Sequence, residues 1–172
     1  MNTRSRMVVI AIAIAFFLYA LYAKHYNIAV YIIGGIAYLV WSHFREGTVF
    51  LATQAFHKQD YEKTKALLAE IKNPDQLRKR RRNYYEFMMG NIALKEERID
   101  EAEYHFQLAS RLPWKRDTEK GFVLINLANI SLRKKNYDRV PKYLELARKL
   151  KLTERQLGIV EKIEIELHKQ SK

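Results

Sequence analysis

Five consecutive cations, Arg78, Lys79, Arg80, Arg81 and Arg82, form the densest charge in a chain whose formal net charge is +12 at pH 7. On a helix, adjacent cations spread around the axis and repel each other, so they cannot share one face. Near an anionic lipid surface each of them contributes about 1 kcal/mol. Three interpretations stay open: a solvated linker, a patch for anionic lipid headgroups, or a patch for nucleic acid or an acidic protein.

A second chemical signal is a regular spacing of hydrogen-bonding side chains. Thr53, Asn91 and Asn129 follow one another at equal intervals along the chain. Asparagine amides carry both donors and acceptors, so they can bind the backbone of an extended peptide without demanding a particular sequence. The equal spacing indicates that a repeating structure positions them.

The remaining reactive residues do not form a catalytic pattern. The five histidines, at positions 25, 43, 57, 105 and 168, form neither a His-x-x-x-His nor a Glu-x-x-His motif. The chain has no cysteine, which excludes disulfides, thiolate nucleophiles and thiolate-bound zinc. The sequence therefore predicts no enzyme, no metal and no other cofactor.

Small and apolar residues repeat at the same interval as Thr53, Asn91 and Asn129. Each unit predicts two helices, because its apolar residues recur at helical spacing on either side of a short polar break. The first helices are predicted at 48–58, 84–96 and 122–134, and the second helices open at Tyr61, Ile99 and Tyr137. A capping-box pattern from Thr153 to Gln156 predicts one further helix. Matching positions in the three units are Ala52, Gly90 and Ala128; Thr64, Ala102 and Val140; and Leu68, Phe106 and Leu144.

These residues resemble tetratricopeptide repeats (TPR) over residues 45–152. The family places Gly or Ala on the first helix and a small residue followed by a large apolar one on the second, as this chain does. The family's early tryptophan is replaced here by Thr48, Glu86 and Leu124. The resemblance implies an all-α fold: an α-solenoid with repeats at about 45–82, 83–120 and 121–152, and a capping helix at 153–170.

In the family the first helices line a concave groove that binds protein partners. The resemblance therefore implies a partner-binding groove, with hydroxyl and amide side chains supported by aromatic surface. The alternative is that the asparagines cap loops or form hydrogen bonds between helices, and that the aromatic rings belong to the core. The implied groove residues are Thr53, Tyr84, Phe87, Asn91, Phe122, Asn126 and Asn129.

Residues 1–44 differ in composition from the rest, since every Asp and Glu lies in 45–172. Apolar runs at 7–23 and 28–44 predict two transmembrane helices joined by a tight turn. Pairing them about the turn sets Phe16 and Phe17 opposite Gly35 and Gly34, where glycine permits close helix packing. A cleaved signal peptide is the alternative for the first run.

Positive charge flanks the two runs at Arg4, Arg6 and Arg45, with Lys24 alone in the turn. Positive residues favour the cytoplasmic side. The pattern predicts a two-span protein of a bacterial cell membrane, with its N-terminus and its solenoid both in the cytoplasm.

Together these features favour a membrane-anchored protein–protein interaction adaptor or scaffold, whose repeat groove captures a peptide or helix of a partner protein. The alternative is a constitutive accessory or assembly subunit of a larger integral membrane complex, with the hairpin making the main contacts. A third possibility is a tether to nucleic acid or anionic lipid through residues 78–82.

Overall fold

The computed structural model describes residues 3–46 and 48–170, with side chains at 8–38, 41 and 48–170. Within these residues the chain forms nine α-helices and no strand, so the predicted all-α class is confirmed. The helices fall into two compact units, the first ending at Arg81 and the second beginning at Arg82.

Unit 1 contains two helical hairpins and a short 3₁₀ turn at Pro74–Gln76. In the first hairpin the backbone N–H of His25 donates to Ala20 O and closes the turn. In the second, Asp60 caps α4 by accepting from the backbone N–H of Lys63 at 3.1 Å. The helices are α1 (Thr3–Tyr22), α2 (Tyr26–Glu46), α3 (Val49–His57) and α4 (Tyr61–Ala69).

Unit 2 contains the remaining five helices. Apolar side chains from all five of them build its core, which has Phe106, Leu127, Ile130 and Val160 fully or almost fully buried. The helices are α5 (Lys79–Lys95, whose first turn crosses the boundary between the units), α6 (Ile99–Arg111), α7 (Asp117–Arg133), α8 (Val140–Arg148) and α9 (Glu154–Gln170).

The regular period of the sequence is present in the backbone as well. Gln59, Glu97 and Lys135 are equally spaced, at the interval of the repeat, and each adopts a left-handed conformation with φ of 61°, 60° and 59°. All three lie in the polar breaks between paired helices, where a single left-handed residue ends one helix and reverses the chain. The three predicted helical pairs are therefore present, as α3–α4, α5–α6 and α7–α8.

The predicted helix starts are correct for α4 and α6, which begin at Tyr61 and Ile99. The second helix of the third repeat begins later than predicted: Tyr137–Arg139 forms a 3₁₀ turn, and α8 begins at Val140. Pro141 accounts for this start, because proline is tolerated only in the first turn of an α-helix.

The localisation prediction is wrong. Within the part of the chain that the structure describes, no helix is long and apolar enough to cross a membrane. A span needs about 20 consecutive apolar residues, whereas the predicted apolar runs 7–23 and 28–44 contain 17 residues each. The two transmembrane helices, the bacterial membrane location and the cytoplasmic placement of both ends are corrected accordingly.

The glycines of the first hairpin do not lie at a close helix contact. A Cβ atom added to Gly34 or Gly35 would meet no heavy atom within 4 Å. Phe16 is 62% exposed and Phe17 is half-buried, while the small residues Ala20 and Ala29 are the buried ones near the turn.

Candidate partner-binding face of unit 2

The predicted binding residues of α7 lie on one face of that helix. Phe122, Asn126 and Asn129 are spaced i, i+4 and i+7, which places them one above another. Phe122 is 37% exposed. The Asn126 amide Nδ2 donates to Phe122 O at 2.9 Å, and the Asn129 side chain forms no hydrogen bond within the described residues. The face therefore combines an exposed aromatic ring with two amides whose carbonyl oxygens accept no bond from the described residues.

The predicted residues of α5 and α3 show the same local bond. Asn91 Nδ2 donates to Phe87 O at 2.7 Å, and the Thr53 hydroxyl in unit 1 donates to Val49 O at 2.8 Å. Each side chain thus bonds the carbonyl one turn earlier in its own helix, which is neither the loop cap nor the bond between helices of the alternative interpretation. The bond uses one donor of Asn91 and leaves its carbonyl oxygen as an acceptor.

The aromatic residues of α5 are packed, not free. The rings of Tyr84 and Phe87 stand edge-on to Trp114, with centroids 5.4 Å and 5.9 Å away, and Phe87 also meets Phe106 at 6.2 Å. Such edge-to-face pairs stabilise beyond simple burial. Both residues are half-buried, so of the three predicted aromatic residues Phe122 offers the exposed surface.

A hydrogen bond joins the α5 face to α7. The Tyr84 hydroxyl donates to Glu119 Oε1 at 2.9 Å, and Arg116 pairs with the same carboxylate oxygen at 2.9 Å. Burial and the hydrogen bond to Glu119 raise the pKa of Tyr84, because both disfavour the phenolate. Since Glu119 lies one turn before Phe122, the bond brings the predicted faces of α5 and α7 side by side.

The end of this face is bordered by α9, which the sequence did not place there. A cavity of about 260 Å³ is lined by Asn129 and Leu132 from α7 and by Ile159, Lys162, Ile163 and Glu166 from α9. Asn129 therefore lines a small, mainly apolar recess that also has Lys162 and Glu166 in its lining. A ligand group that reached the recess would find an amide that bonds to none of the described residues.

The basic run is partly engaged within the chain. The guanidinium of Arg78 lies 5.5 Å from the Trp41 ring centroid and that of Arg81 lies 5.9 Å from Phe50, both as cation–π contacts. In unit 2, Arg82 Nε lies 3.3 Å from Glu86 Oε1.

Lys79 and Arg80 are exposed, as Arg78 is, and these two form no ion pair or hydrogen bond to the described residues. Of the five cations, these two are therefore the ones that have no bonded partner in the described part of the chain.

Sequence reasoning missed a buried acid at the centre of the α5–α6 pair. Glu86 is only 2% exposed, and its Oε2 lies 2.7 Å from His105 Nδ1. The signal in the sequence was its position, since Glu86 lies 38 residues after Thr48 and 38 before Leu124, and both of these matching residues are buried. A buried carboxylate must be paired, and Arg82 with His105 supplies the partners.

A second acid, Glu103, joins α6 to the following hairpin. Glu103 is 8% exposed and receives Lys134 Nζ at 2.6 Å and Arg139 at 3.2 Å. Hydrogen bonds to Asp100 and Glu103 raise the pKa of Lys134. Both acids are structural in position, because their partners are side chains of neighbouring helices.

No group of three or more His, Cys, Asp or Glu side chains among the described residues is arranged to hold a metal ion. No protein-family model, curated protein or solved structure matches the chain.

Proposed function

We propose that unit 2 is a protein-interaction module of the α-solenoid kind, similar to tetratricopeptide repeats, that holds an extended peptide segment of a partner protein. The proposal is supported by helical pairs that recur at a constant interval and by the small residues at their contacts. Such arrays offer a continuous surface and not an enclosed reaction centre. The binding surface in this proposal is the face formed by α5 and α7.

The observation that carries the proposal is the state of three amides. Asn91, Asn126 and Asn129 all have a carbonyl oxygen that accepts no hydrogen bond from the described residues. Acceptors spaced along one face can receive the backbone N–H groups of an extended chain, while Phe122 supplies apolar contact area. Recognition of this kind selects for an extended backbone more than for a side-chain sequence.

The test is the double substitution Asn91→Ala with Asn129→Ala in the full chain. Crosslinking in native cells, followed by mass spectrometry, measures which partner peptides are joined to α5 and α7. We expect the double variant to lose these crosslinks. It should keep its helicity by circular dichroism, because the bond that it removes among the described residues is the one from the Asn91 side chain to Phe87 O.

Asn136→Ala is the matched control, because Asn136 is exposed in the loop before α8 and its side chain makes no capping bond. This variant should keep the crosslinks. Equal recovery of partner peptides from the double variant and from Asn136→Ala would contradict the proposed groove.

A second candidate function rests on the first hairpin: an accessory or assembly subunit of a larger complex. Helices α1 and α2 expose large apolar side chains all along their described length, including Phe16 at 62%, Val30 at 67% and Tyr31 at 81%. Exposed apolar surface of this extent marks an interaction site. We propose that the hairpin is then the part of the chain that associates with the complex.

The substitutions Phe16→Glu and Tyr31→Glu test this candidate. Each should release the chain from a stoichiometric complex, as measured by co-purification and sedimentation. Tyr104→Glu, at a residue 59% exposed on α6, is the matched control and should leave the complex intact. Retention of the complex by both hairpin variants would contradict this second function.

A further inference from the structure

The last helix, α9, occupies the place that the first helix of a fourth repeat would have. Helices α5, α7 and α9 each contain 17 residues, and they begin at positions 79, 117 and 154. Gln156 Nε2 in α9 donates to Thr118 O, 38 positions earlier, at 2.7 Å. The start of α9 thus packs on the start of α7 at the spacing of the repeat.

The partner that a first helix normally has is missing from the described residues. Helix α5 packs against α6 through Gly90 and Phe106, and α7 packs against α8 through the core that contains Ala128 and Leu144. Within residues 3–46 and 48–170, no helix pairs with α9 in this way. By analogy with these two pairs, a second helix would pack beside α9.

A groove lies where that helix would pack. It has a volume of about 660 Å³ and runs between α8 and α9. Pro141, Leu144, Ile165 and Leu167 provide its apolar lining, and Ile165 is 56% exposed although it is a large aliphatic residue. An apolar groove between two helices is the kind of surface that receives the buried face of an amphipathic helix.

The rim of the groove is acidic in a basic protein. Glu145, Glu161 and Glu164 line it, against Arg148 and His168, whereas the whole chain has a net charge of +12. At a binding surface, the local charge selects partners of the opposite sign, even where the protein as a whole has the other sign. The rim therefore favours a positively charged occupant.

Ion pairs within the chain use two of the three acids. Arg148 pairs with Glu164 at 2.9 Å and Lys149 pairs with Glu145 at 2.8 Å. Glu161 is exposed and has no ion pair among the described residues. Its carboxylate is the group that a cation of the occupant would meet.

We infer that the groove between α8 and α9 docks an amphipathic α-helix of a partner protein, with basic residues beside its apolar stripe. This helix takes the position that α6 and α8 have in their own units. Its buried stripe resembles theirs, namely a small residue, a large apolar residue four positions later and alanine three positions after that. In the chain these stripes are Ala102, Phe106 and Ala109, and Val140, Leu144 and Ala147.

The chain itself supplies two peptides that serve as defined probes of this surface. Residues 137–150 carry the stripe and have more Lys and Arg than Asp and Glu, so this peptide is basic. Residues 99–111 carry the same stripe with one Arg against three Asp or Glu, so this peptide is acidic. Comparison of the two peptides separates the contribution of charge from that of the apolar stripe.

The experiment measures fluorescence anisotropy of each labelled peptide as the full chain is added. We expect saturable binding of the 137–150 peptide and binding of the 99–111 peptide that is weaker by about tenfold or more. Ile165→Lys and Glu161→Lys should each weaken binding of the basic peptide by about tenfold. Leu146→Lys changes an exposed leucine of α8 outside the groove lining (49% exposed), and it should have no effect.

Three results would overturn the inference: no saturable binding of the basic peptide, equal affinity for both peptides, or binding that Ile165→Lys leaves unchanged. Sedimentation of the chain alone provides the remaining test. A concentration-dependent dimer that Ile165→Lys abolishes would assign the groove to a second copy of the chain, against the partner helix. If the Asn91→Ala and Asn129→Ala test failed, the inference about the groove between α8 and α9 would be unaffected, because Asn91 and Asn129 lie outside this groove.

Discussion

The phenyl ring of Phe106 lies directly against Gly90. A Cβ atom added to Gly90 would be 3.1 Å from three atoms of that ring, and Phe106 is completely buried. Gly90 is on α5 and Phe106 on α6, so this contact sets how closely the two helices of the second repeat approach. A rigid ring that is enclosed on all sides cannot move aside for a larger residue.

Gly90→Val should therefore destabilise the protein. The added side chain would enter the space of the Phe106 ring, and overpacking of this kind costs about 1–3 kcal/mol. Urea unfolding followed by circular dichroism measures the change in free energy of unfolding.

Gly158→Ala is the matched control, because a Cβ atom there meets nothing within 4 Å. Since alanine is the better helix former, this change should stabilise the protein by up to about 1 kcal/mol. A Gly90→Val protein as stable as the wild type would show that α5 and α6 do not depend on the close contact.

The repeated small residues made the helical pairs predictable from the sequence. Contacts such as Gly90 with Phe106 need a small residue opposite a large one, and that requirement leaves a periodic trace. The polar breaks were predictable for the same reason, because Gln59, Glu97 and Lys135 recur with the repeat.

The starts of α5 and α7 were not predictable in this way. Both helices begin before the predicted positions 84 and 122, at Lys79 and Asp117. Their first turns consist mainly of charged residues, which carry no apolar periodicity. A helix whose first turn faces solvent leaves no hydrophobic pattern to read.

The placement of three candidate residues on one face of α7 was predictable from the sequence, but their surroundings were not. Phe122, Asn126 and Asn129 share a face because of their spacing alone. The packing of Tyr84 on Trp114 and the position of α9 beside Asn129 depend on contacts between distant parts of the chain. A single sequence does not contain the partner of a buried polar group, so Glu86 could not be assigned a role.

The capping box of α9 makes a prediction about polar bonds. Gln156 is completely buried; its Oε1 accepts from the Thr153 backbone N–H at 2.9 Å, and its Nε2 donates to Thr118 O. Gln156→Ala should lower the free energy of unfolding by about 2–3 kcal/mol, since it orphans both groups. Thr153→Ala removes only the cap and should cost about 1 kcal/mol.

Urea unfolding measures both values. Gln170→Ala is the control, because its bond to Glu166 is exposed and surface changes stay within about 0.5 kcal/mol. If Gln156→Ala behaved like Gln170→Ala, the link between α9 and α7 would be unimportant for stability.

The buried carboxylate of Glu86 predicts a large effect from one substitution. Glu86→Ala removes one acidic partner from the partly buried His105 and Arg82 and opens a space between α5 and α6. The expected cost is about 2–4 kcal/mol. Glu86→Gln keeps the shape and one hydrogen bond, so it should cost less than Glu86→Ala. Thermal unfolding compares the two variants, and the reverse order of stability would refute the pairing.

The ion pairs of Lys134 predict a pH dependence of stability. Lys134 Nζ lies 2.7 Å from Asp100 Oδ1 and 2.6 Å from Glu103 Oε2. These hydrogen bonds raise the pKa of Lys134 above its ordinary value of 10.5. The folded state therefore holds this proton more tightly than the unfolded state. The stabilisation is fully present below about pH 10 and is lost as the pH rises through the folded-state pKa.

Lys134→Met should accordingly lower the free energy of unfolding by about 1–2 kcal/mol at pH 7, because the buried Glu103 then keeps Arg139 as a charged partner and a neutral hydrogen bond from Gln107. The difference from the wild type should stay constant up to about pH 10 and shrink as the pH rises further, because the wild-type lysine then loses its charge. Urea unfolding at these pH values measures it. Lys115→Met, at an exposed lysine with no ion pair among the described residues, should show no difference at any pH. If the deficit in free energy of unfolding of Lys134→Met stayed constant up to about pH 11, packing of the side chain, and not its charge, would hold α6 to the third repeat.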